Sequence, residues 1–356
     1  MAEKVLMKGN EALAEAAVRV GCRFYAGYPI TPQTEIIEYL SWRMPEVGGT
    51  VYQAESELSG INMIIGAAAA GGRVLTTSSG PGFSLYQEGI SLLAAYDFPA
   101  IIIDVMRVGS GPGDIRQGQG DYWQITRGGG NGDYRTFVLA PNSVQESVDL
   151  IKHGYEIAEK WRCPVIIASD ATIGQTMEPV VLPEFEEHDP KKHDSWRVRG
   201  NPTLEGKDQH LLANVFMAMD WVDNGSYFEY YLDKCKKMEE AEQMWESYMV
   251  EDADIVLVAY GCSSRIARET VELAREEGLK LGLIRPITLW PFPNKAFEEA
   301  KAAKAFCTVE INILGQMVDD VRLAIHDRVP VDTVGDFWGV PDPDRIIAKA
   351  KELLGL

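Results

Sequence analysis

Several signatures of familiar enzyme classes are missing from this 356-residue sequence. No turn reads G-x-G-x-x-G before a helix and none reads G-x-x-x-x-G-K-[ST], so the local patterns of dinucleotide-binding and P-loop proteins are absent. The cysteines are few and dispersed, and no two of them form a C-x-x-C pair. We therefore expect no disulfide framework, and no zinc or iron–sulfur site made by this chain alone. The five cysteines are Cys22, Cys163, Cys235, Cys262 and Cys307.

Basic residues are also scarce, since 34 lysines and arginines stand against 53 acidic residues and give a net charge of −19. A surface of this sign repels phosphate backbones, so we expect no nucleic-acid partner. The longest weakly apolar run, 61–72, is too short and too rich in alanine and glycine to span a bilayer. The first residues lack the apolar core and cleavage site of a signal peptide. These absences predict a cytoplasmic protein without membrane contact.

What is present is a regular alternation of strands and helices. Hydrophobic residues make up 46% and charged residues 24%, which is typical of a globular protein, and the length suits two domains. Strands that alternate with helices and carry continuous Val/Ile runs indicate an α/β fold with a parallel sheet covered on both faces. In the first part of the chain we predict helices at 10–20, 32–44, 57–70, 83–96 and 143–160, and strands at 22–26, 50–53, 73–77, 100–106 and 164–169.

A second series of strands and helices follows an interruption. Residues 184–207 are charged and broken by proline, which predicts an exposed excursion, and 227–249 has a polar helical pattern. We expect domains at 1–235 and 252–356, joined by a linker helix at 236–251. The second series is predicted at 254–260, 263–277, 279–285, 306–310, 315–326 and 331–334, followed by a last helix that Asp342 caps and Pro343 opens.

Three segments at predicted strand ends combine polar residues with turn residues. The first is YPITP (28–32), in which two prolines stiffen the turn. Thr31 is placed to cap the following helix and Pro32 to open it. A helix N-terminus with a hydroxyl beside free amides suits a carboxylate or a phosphate, although a routine capped helix start is the alternative.

The second segment is QAESELSG (53–60), which places Glu57 in the first turn of an almost wholly apolar helix. A carboxylate at this position could simply favour the helix dipole. Alternatively, Glu57 enters a dry pocket and exchanges a proton with a bound heterocycle.

The third segment begins with Arg107, which ends a buried strand before the glycine-rich loop GSGPGDIRQGQGD (109–121). An arginine that leaves a buried strand in this way suits a bidentate clamp for a carboxylate. A salt bridge to Asp104 or Asp121 is the alternative.

Together these motifs resemble those of the alpha subunits of 2-oxoacid:ferredoxin oxidoreductases. The similarity covers nearly the whole chain, YPITP is highly specific for this family, and the opening residues are most like the branched-chain, or 2-oxoisovalerate, type. The similar stretches are AGYPITPQTEI (26–36), QAESELSGINMIIGAAAAGG (53–72), TTSSGPGFSL (76–85), VMRVGSGPG (105–113), QGQGDY (117–122), IRPITLWPFP (284–293) and VEINILGQM (309–317).

The resemblance implies a fold, a cofactor and roles for particular residues. The fold is a thiamine diphosphate pyrimidine-binding domain, which is a doubly wound parallel sheet, followed by a smaller α/β domain like the C-terminal domain of transketolase. Glu57 is then the catalytic residue, which contacts N1′ of the cofactor's aminopyrimidine. The other implied cofactor contacts are Tyr28, Pro29 and Ile30, and the implied substrate-binding residues are Thr31, Arg107, Ser78 and Ser79.

The same resemblance implies that the chain holds half of an active site. The sequence has no G-D-G segment to hold a diphosphate with Mg²⁺, and no cysteine set for an electron relay. A beta subunit is therefore expected to carry the diphosphate and Mg²⁺, with iron–sulfur clusters on gamma and ferredoxin-like delta subunits or their equivalents. The implied reaction is oxidative decarboxylation of a 2-oxoacid to acyl-CoA and CO₂, with coenzyme A as co-substrate and ferredoxin as electron acceptor.

Three alternatives remain open at this stage. The chain could belong to a member of the same family that is specific for 2-oxoglutarate or an aryl 2-oxoacid, in which Arg116 could meet a distal carboxylate. A non-catalytic scaffold subunit with this fold is disfavoured by the intact Thr31, Glu57 and Arg107. A nicotinamide-dependent dehydrogenase lacks its glycine fingerprint here.

Overall fold

A computed structural model describes residues 4–193, 197–198 and 226–356. Among these residues, no helix is both long and apolar enough to cross a bilayer. The elements up to residue 180 are β1 (Val5–Lys8), α1 (Gly9–Arg19), β2 (Phe24–Gly27), α2 (Thr34–Glu46), β3 (Thr50–Gln53), α3 (Glu57–Ala69), β4 (Val74–Ser78), α4 (Pro81–Ala95), β5 (Ala100–Val108), β6 (Asp114–Gln117), α5 (Tyr122–Arg127), β7 (Phe137–Leu139), α6 (Val144–Trp161), β8 (Pro164–Asp170), α7 (Ala171–Gln175) and β9 (Met177–Val180). The later elements are α8 (Ser226–Ala241), β10 (Trp245–Tyr248), β11 (Ile255–Val258), α9 (Gly261–Glu276), β12 (Leu281–Pro286), β13 (Thr288–Trp290), β14 (Ala305–Glu310), α10 (Val318–Ile325), β15 (Val331–Gly335) and α11 (Pro343–Leu354).

The larger sheet has the strand order β13-β7-β8-β5-β4-β2-β3, with β6 attached to β5. Its neighbours from β7 to β3 pair in parallel, whereas β13 and β6 pair antiparallel with β7 and β5. Right-handed crossovers in this order place α2 and α6 on one face and α3 and α4 on the other. The packing agrees, because α1 contacts both α2 and α6, while α3 contacts α4. The predicted doubly wound sheet is therefore confirmed.

The chain reverses its direction of travel across this sheet at the edge strand β3. It moves outwards from β2 to β3, and then returns to β4 and β5 on the other side of β2. Connections that diverge in this way leave a crevice at the carboxyl ends of the two strands, and ligands bind there in open α/β sheets. We use the term crevice for the space between the turn after β2 and the turn after β4.

The smaller sheet has the order β10-β12-β11-β14-β15, in which β10 is antiparallel to β12 and the other neighbours are parallel. Its central strands are fully buried, β11 is a wholly apolar run (IVLV), and α9 packs against α11 beside them. Although β13 follows β12 directly in the chain, it pairs with β7 of the larger sheet. The later part of the chain therefore completes one edge of the larger sheet.

The prediction of a single helix over 227–249 is wrong at its C-terminal end. The helix α8 ends at Ala241, and Trp245–Tyr248 form β10 on the edge of β12. The Ile287 N–H also donates to the Met244 carbonyl (2.9 Å). The edge of β12 offers backbone groups that need partners, and pairing with them outweighs the helical preference of a polar segment.

The predicted excursion at 184–207 is described in part, because residues 194–196 and 199–207 lie outside the described residues. In the described part, Nε2 of His188 lies 2.7 Å from the Gly71 carbonyl oxygen. This contact holds the segment against the end of α3. The described stretch therefore follows the surface of the larger unit, by which we mean the larger sheet with its helices.

Gln119 joins the glycine-rich loop of the larger unit to the smaller unit, which is the smaller sheet with its helices. Its fully buried side chain donates to the Tyr260 carbonyl (3.0 Å) and accepts from Ser263 Oγ (2.7 Å). The N–H of Ile311 also donates to Gln119 Oε1 (3.1 Å), and the Gln119 N–H donates to the Ile311 carbonyl (2.8 Å). Because this loop follows Arg107, the smaller unit holds the segment that carries the predicted carboxylate clamp.

Replacing Gln119 with leucine should lower the free energy of unfolding by about 2–5 kcal/mol. The change leaves buried donors and acceptors without partners, and each costs roughly 1–3 kcal/mol. Thermal unfolding measures this effect. Gln53, which is exposed at the end of β3, offers the matched control, and Gln53→Leu should change stability by less than about 0.5 kcal/mol. Equal melting temperatures for the two variants would contradict the role of Gln119.

Candidate active site

The YPITP turn after β2 does not cap α2 in the way predicted for Thr31 and Pro32. The helix begins at Thr34, and its N-cap is Gln33, whose side chain makes no capping hydrogen bond. Instead, the Gln33 N–H donates to the Ile30 carbonyl (3.0 Å) and closes a turn. Pro32 lies inside that turn and has no N–H to donate, so the helical ladder starts after it. Thr31 is left exposed beside the crevice.

A buried hydrogen-bond network fixes this turn to the sheet. Gln33 donates from Nε2 to the Tyr28 carbonyl (3.0 Å), and its Oε1 accepts from Thr77 Oγ1 (2.6 Å). The Tyr25 hydroxyl lies 2.8 Å from Thr77 Oγ1. Burial raises the pKa of Tyr25, so its hydroxyl remains a neutral partner in this network. Sequence analysis missed Tyr25, Gln33 and Thr77, because their pairing joins residues far apart in the chain.

Glu57 lies at the start of α3 with a buried side chain. Ser56 caps the helix, because its Oγ accepts a hydrogen bond from the Ser59 N–H (3.2 Å). The Glu57 side chain is 6% exposed, whereas nearby Glu55 is exposed. A Cβ atom on Gly82 would lie 2.4 Å from Glu57 Oε1. The glycine at position 82 therefore leaves the space that this carboxyl group needs.

Ser78 and Ser79 lie at the end of β4, and Ser78 is beside this carboxyl group. Both residues are fully buried, and neither hydroxyl has a hydrogen-bond partner within the described part of the chain. The Cβ position on Gly82 that would touch Glu57 also lies 2.4 Å from Ser78 Oγ. Buried polar groups usually have a partner, so these two hydroxyls indicate a place where a further group completes the hydrogen bonding.

Arg107 extends from the end of β5 towards the YPITP turn. Its Nη1 donates to the Thr31 carbonyl (2.8 Å) and its Nη2 to the Pro112 carbonyl (2.7 Å), while Nε has no partner in the described part of the chain. Within the described residues, no ion pair joins Arg107 to Asp104 or Asp121, the alternative that the sequence left open. Two of its five N–H groups are used, so donors remain for a substrate carboxylate.

The crevice brings the predicted site residues together in two groups. Glu57 lies near Ser78, and Arg107 lies near Thr31. The first turn of α4 lies between the two groups, because its Gly82 faces the first group and the preceding Gly80 lies against Arg107. The remaining predicted contacts are exposed or half-buried at the rim, and they are Tyr28, Pro29 and Ile30.

Arg116, which could have met a second substrate carboxylate, already has an acidic partner. Its guanidinium donates to both oxygens of Asp114 (3.0 and 2.8 Å) and lies over the Trp338 ring (4.1 Å). The hydrogen bonds from Arg116 lower the pKa of Asp114 to about 2, so the pair stays ionised. This arrangement does not favour a distal carboxylate on the substrate.

A second cluster of ligand-type side chains lies away from the crevice. The ligand atoms of Glu159, His188 and His193 lie within 4.8 Å of one another. Arg73 donates to both oxygens of Glu159 (2.6 and 3.1 Å), and burial lowers the pKa of both histidines. Because the arginine already offsets the carboxylate charge, we interpret the cluster as a packing contact between α6 and the segment around residue 190.

Comparisons with known proteins define the family. Residues 15–249 match the family model of the pyruvate flavodoxin/ferredoxin oxidoreductase thiamine diphosphate-binding domain, and residues 253–341 match core domain II of pyruvate:ferredoxin oxidoreductase. The first match alone covers more than half of the chain. The chain therefore belongs to the 2-oxoacid:ferredoxin oxidoreductase family, and the resemblance found in the sequence is confirmed.

Individual relatives refine this result. The ketoisovalerate oxidoreductase subunit VorB of Methanothermobacter thermautotrophicus is 49% identical over 354 residues, with 98% of each chain covered. The 2-oxoglutarate synthase subunit KorA of Methanocaldococcus jannaschii is 35% identical, with 92% of this chain and 94% of its own covered. Among solved structures, 2-oxoglutarate:ferredoxin oxidoreductase from Magnetococcus marinus has the same fold, with a TM-score of 0.83 and 24% identity. The match covers 99% of this chain and 66% of that one.

The crevice residues fit the aminopyrimidine end of thiamine diphosphate. A buried carboxyl group on Glu57 and an unpartnered hydroxyl on Ser78 offer hydrogen-bonding groups to a flat polar ring, and the missing side chain of Gly82 leaves room for these two groups. These groups suit a nitrogen heterocycle, whereas a diphosphate needs a hard cation with oxygen ligands. The fit therefore applies to the aminopyrimidine end of the cofactor and not to its diphosphate end.

Proposed function

We propose that this chain is the alpha subunit of a 2-oxoacid:ferredoxin oxidoreductase that acts on branched-chain 2-oxoacids. The reaction is oxidative decarboxylation to acyl-CoA and CO₂, with electrons passed to ferredoxin. The observation that carries the proposal is the buried Glu57 carboxyl group, which lies beside the unpartnered Ser78 hydroxyl at the space left by Gly82. The similarity to ketoisovalerate oxidoreductase subunits supports the substrate class.

In this proposal, each residue of the crevice has a physical task. Arg107 and Thr31 hold the carboxylate of the 2-oxoacid, which fixes the position of its keto carbon. Glu57 holds a proton at N1′ of the aminopyrimidine. Ser78 and Ser79 donate hydrogen bonds to the bound molecules from buried positions. When bound, thiamine diphosphate supplies the electron sink for the loss of carbon dioxide.

The state of Arg116 supports a substrate without a second carboxylate. Its guanidinium is occupied by Asp114, so a 2-oxoglutarate-type substrate would have to separate an ion pair with two hydrogen bonds (3.0 and 2.8 Å). A branched aliphatic side chain requires no such exchange. Similarity to 2-oxoglutarate synthase subunits keeps that acid as the second candidate substrate.

The rest of the active site belongs to partner chains in this proposal. A beta subunit carries the diphosphate and Mg²⁺, gamma and delta subunits or their equivalents carry iron–sulfur clusters, and the complex works in the cytoplasm. We also propose domains at 1–235 and 252–356 with a linker at 236–251. The two family-model matches meet at residues 250–252, which supports a boundary in this region.

Assay of the co-purified complex tests the proposed function. The preparation should contain thiamine and iron, and should reduce viologen with coenzyme A and 2-oxoisovalerate faster than with 2-oxoglutarate or an aryl 2-oxoacid. Faster turnover of 2-oxoglutarate than of 2-oxoisovalerate would make 2-oxoglutarate the proposed substrate instead. A preparation without thiamine that reduces viologen with none of these acids would make the chain a scaffold subunit and end the proposal.

Arg107→Lys should raise KM for the 2-oxoacid by about tenfold or more, with a smaller effect on kcat. The planar guanidinium of Arg107 can donate to two backbone carbonyls and a carboxylate at once. The ammonium group of lysine is a point charge and cannot replace this set of hydrogen bonds. Steady-state kinetics of the complex measure both constants, and KM for coenzyme A serves as the internal control because it should not change. A lower kcat with an unchanged KM for the 2-oxoacid would contradict the clamp.

A further inference from the structure

Two buried carboxyl groups lie behind the crevice and have no role in the mechanism above. Asp104 is on β5 and is fully buried, and Asp121 precedes α5 and is 9% exposed. Among the residues that the structure describes, both oxygens of Asp104 and Oδ2 of Asp121 have no hydrogen-bond donor. The two carboxyl groups interact with each other, and the N–H of Gly80 approaches both of them.

Two such groups cannot both be charged at little cost. Two like charges in contact, away from water, repel strongly, so one carboxyl group keeps its proton and donates it to the other. A shared proton also explains why three oxygens lack a donor, because an acid–carboxylate hydrogen bond supplies one. Burial raises the pKa of Asp121, and burial together with the charge of Asp121 raises that of Asp104.

The pair is connected to the substrate clamp through Gly80. This residue has φ +47, a left-handed conformation that favours glycine, and it directs its N–H towards the pair. A Cβ atom on Gly80 would lie 3.4 Å from both Cγ and Nε of Arg107. Gly80, in the turn that continues from Ser78 and Ser79, therefore lies next to both the acid pair and the Arg107 side chain.

The charges around the pair come from few groups in the described structure. Arg107, at the end of β5, is the cation whose charge acts on Asp121. Tyr260, which precedes α9, is fully buried, and burial raises its pKa, with smaller contributions from the charges of Glu310 and Asp121, so it stays neutral. On the neighbouring strand β8, Asp170 lies opposite Met106 and its carboxylate accepts from the N–H groups of Ile173 and Cys262.

We propose that Asp104 and Asp121 form a one-proton acid pair with two tasks. The pair positions the Ser78–Gly80 turn, and its negative charge determines how strongly Arg107 attracts the carboxylate of the 2-oxoacid. With one proton, the pair carries a single negative charge that holds Arg107 in place. When that proton is lost, a second negative charge competes with the substrate carboxylate for Arg107. The pair therefore controls substrate affinity without touching the substrate, and this inference rests on the proposed function of the crevice.

The first measurement concerns the proton itself and requires no activity. Infrared spectra of the purified complex at neutral pH should contain the C=O stretching band of an undissociated carboxylic acid from this pair. Asp104→Asn and Asp121→Asn should each remove one such band, because the remaining carboxyl group accepts hydrogen bonds from the amide and Gly80 and ionises. Spectra in which both variants retain every such band would overturn the acid pair, whatever the complex catalyses.

The second measurement concerns substrate affinity. In the wild-type complex, KM for the 2-oxoacid should rise above the higher pKa of the pair by up to about tenfold per pH unit, since one proton is lost. In Asp121→Asn this alkaline rise should disappear, with kcat at neutral pH within a few-fold of wild type. A merely structural role would leave the pH dependence of KM unchanged.

Glu310 offers the matched control for both measurements. It is also fully buried and burial raises its pKa, but it lies on β14 of the smaller sheet, where it accepts from the Met317 N–H and Asn312 Nδ2. Glu310→Gln should keep the alkaline rise in KM and the bands of the acid pair. If Asp121→Asn loses its infrared band but keeps the alkaline rise, the positioning role is overturned. If the complex turns over no 2-oxoacid, the proposed function fails on its own assay.

Discussion

Glu57→Gln should lower turnover of the reconstituted complex by about 100-fold or more while the fold remains intact. Proton transfer by a positioned carboxyl group contributes roughly 10²- to 10⁴-fold to a rate, which corresponds to about 1.4 kcal/mol per factor of ten. Glutamine keeps the size and polarity of the side chain beside Ser78, but it cannot hold the exchangeable proton. Stopped-flow or steady-state viologen reduction measures the loss.

Glu55→Gln is the matched control for this experiment, because Glu55 lies two residues earlier, is exposed and bonds to Ser59 outside the crevice. It should leave turnover near the wild-type value. Both variants should bind thiamine diphosphate and unfold at the wild-type temperature. Unchanged turnover in Glu57→Gln would falsify the catalytic role of this residue, whereas equal losses in both variants would indicate damage to the helix.

Gly82→Ala should reduce turnover by a similar factor through geometry alone. The added Cβ atom would lie 2.4 Å from both Glu57 Oε1 and Ser78 Oγ, which is closer than real atoms approach. The carboxyl group is the end of a flexible side chain, so we expect it to move away, and a displacement of about 1 Å at a reacting group can cost about 100-fold in rate. The helix itself does not oppose alanine, which is favoured over glycine by roughly 1 kcal/mol in helices.

Gly66→Ala is the matched control, because Gly66 is also a helical glycine and a Cβ there would meet no described residue within 4 Å. We expect it to keep turnover and to match or exceed the wild-type melting temperature. Gly82→Ala should keep its melting temperature within a few degrees while turnover falls. Wild-type turnover in Gly82→Ala would show that the Glu57 carboxyl group has more space than the structure gives it.

Much of the fold could be predicted from local patterns. Strands such as β5 and β8 begin with apolar runs, and their predicted bounds differ from the observed ones by two residues or fewer. The last helix begins as expected, with Asp342 Oδ1 accepting from the Asp344 N–H (2.8 Å) and Pro343 in the first turn. These features depend on neighbouring residues alone, so the sequence is sufficient to indicate them.

The wrong predictions concern features that depend on contacts between residues far apart in the chain. The strand Trp245–Tyr248 was predicted as helix because its partner β12 lies about 40 residues later, and no local pattern records that pairing. Thr31 was predicted as a helix cap, but the turn is held by Gln33, which bonds to Thr77 across the sheet. Which residue stands at the N-cap of a helix depends on the hydrogen bonds that the surrounding structure offers, and these are tertiary contacts.

By itself, the sequence determined the α/β class, the family and the three strand-end motifs, because a glycine, proline or charged residue beside a buried strand leaves a local pattern. The tertiary structure decided how these motifs meet. It brought Glu57 beside Ser78 around the missing side chain of Gly82, and placed Arg107 over a turn backed by Asp104 and Asp121. Contacts of this kind arise when parallel strands end at the same edge of a sheet, so their geometry depends on strand order rather than on distance along the chain.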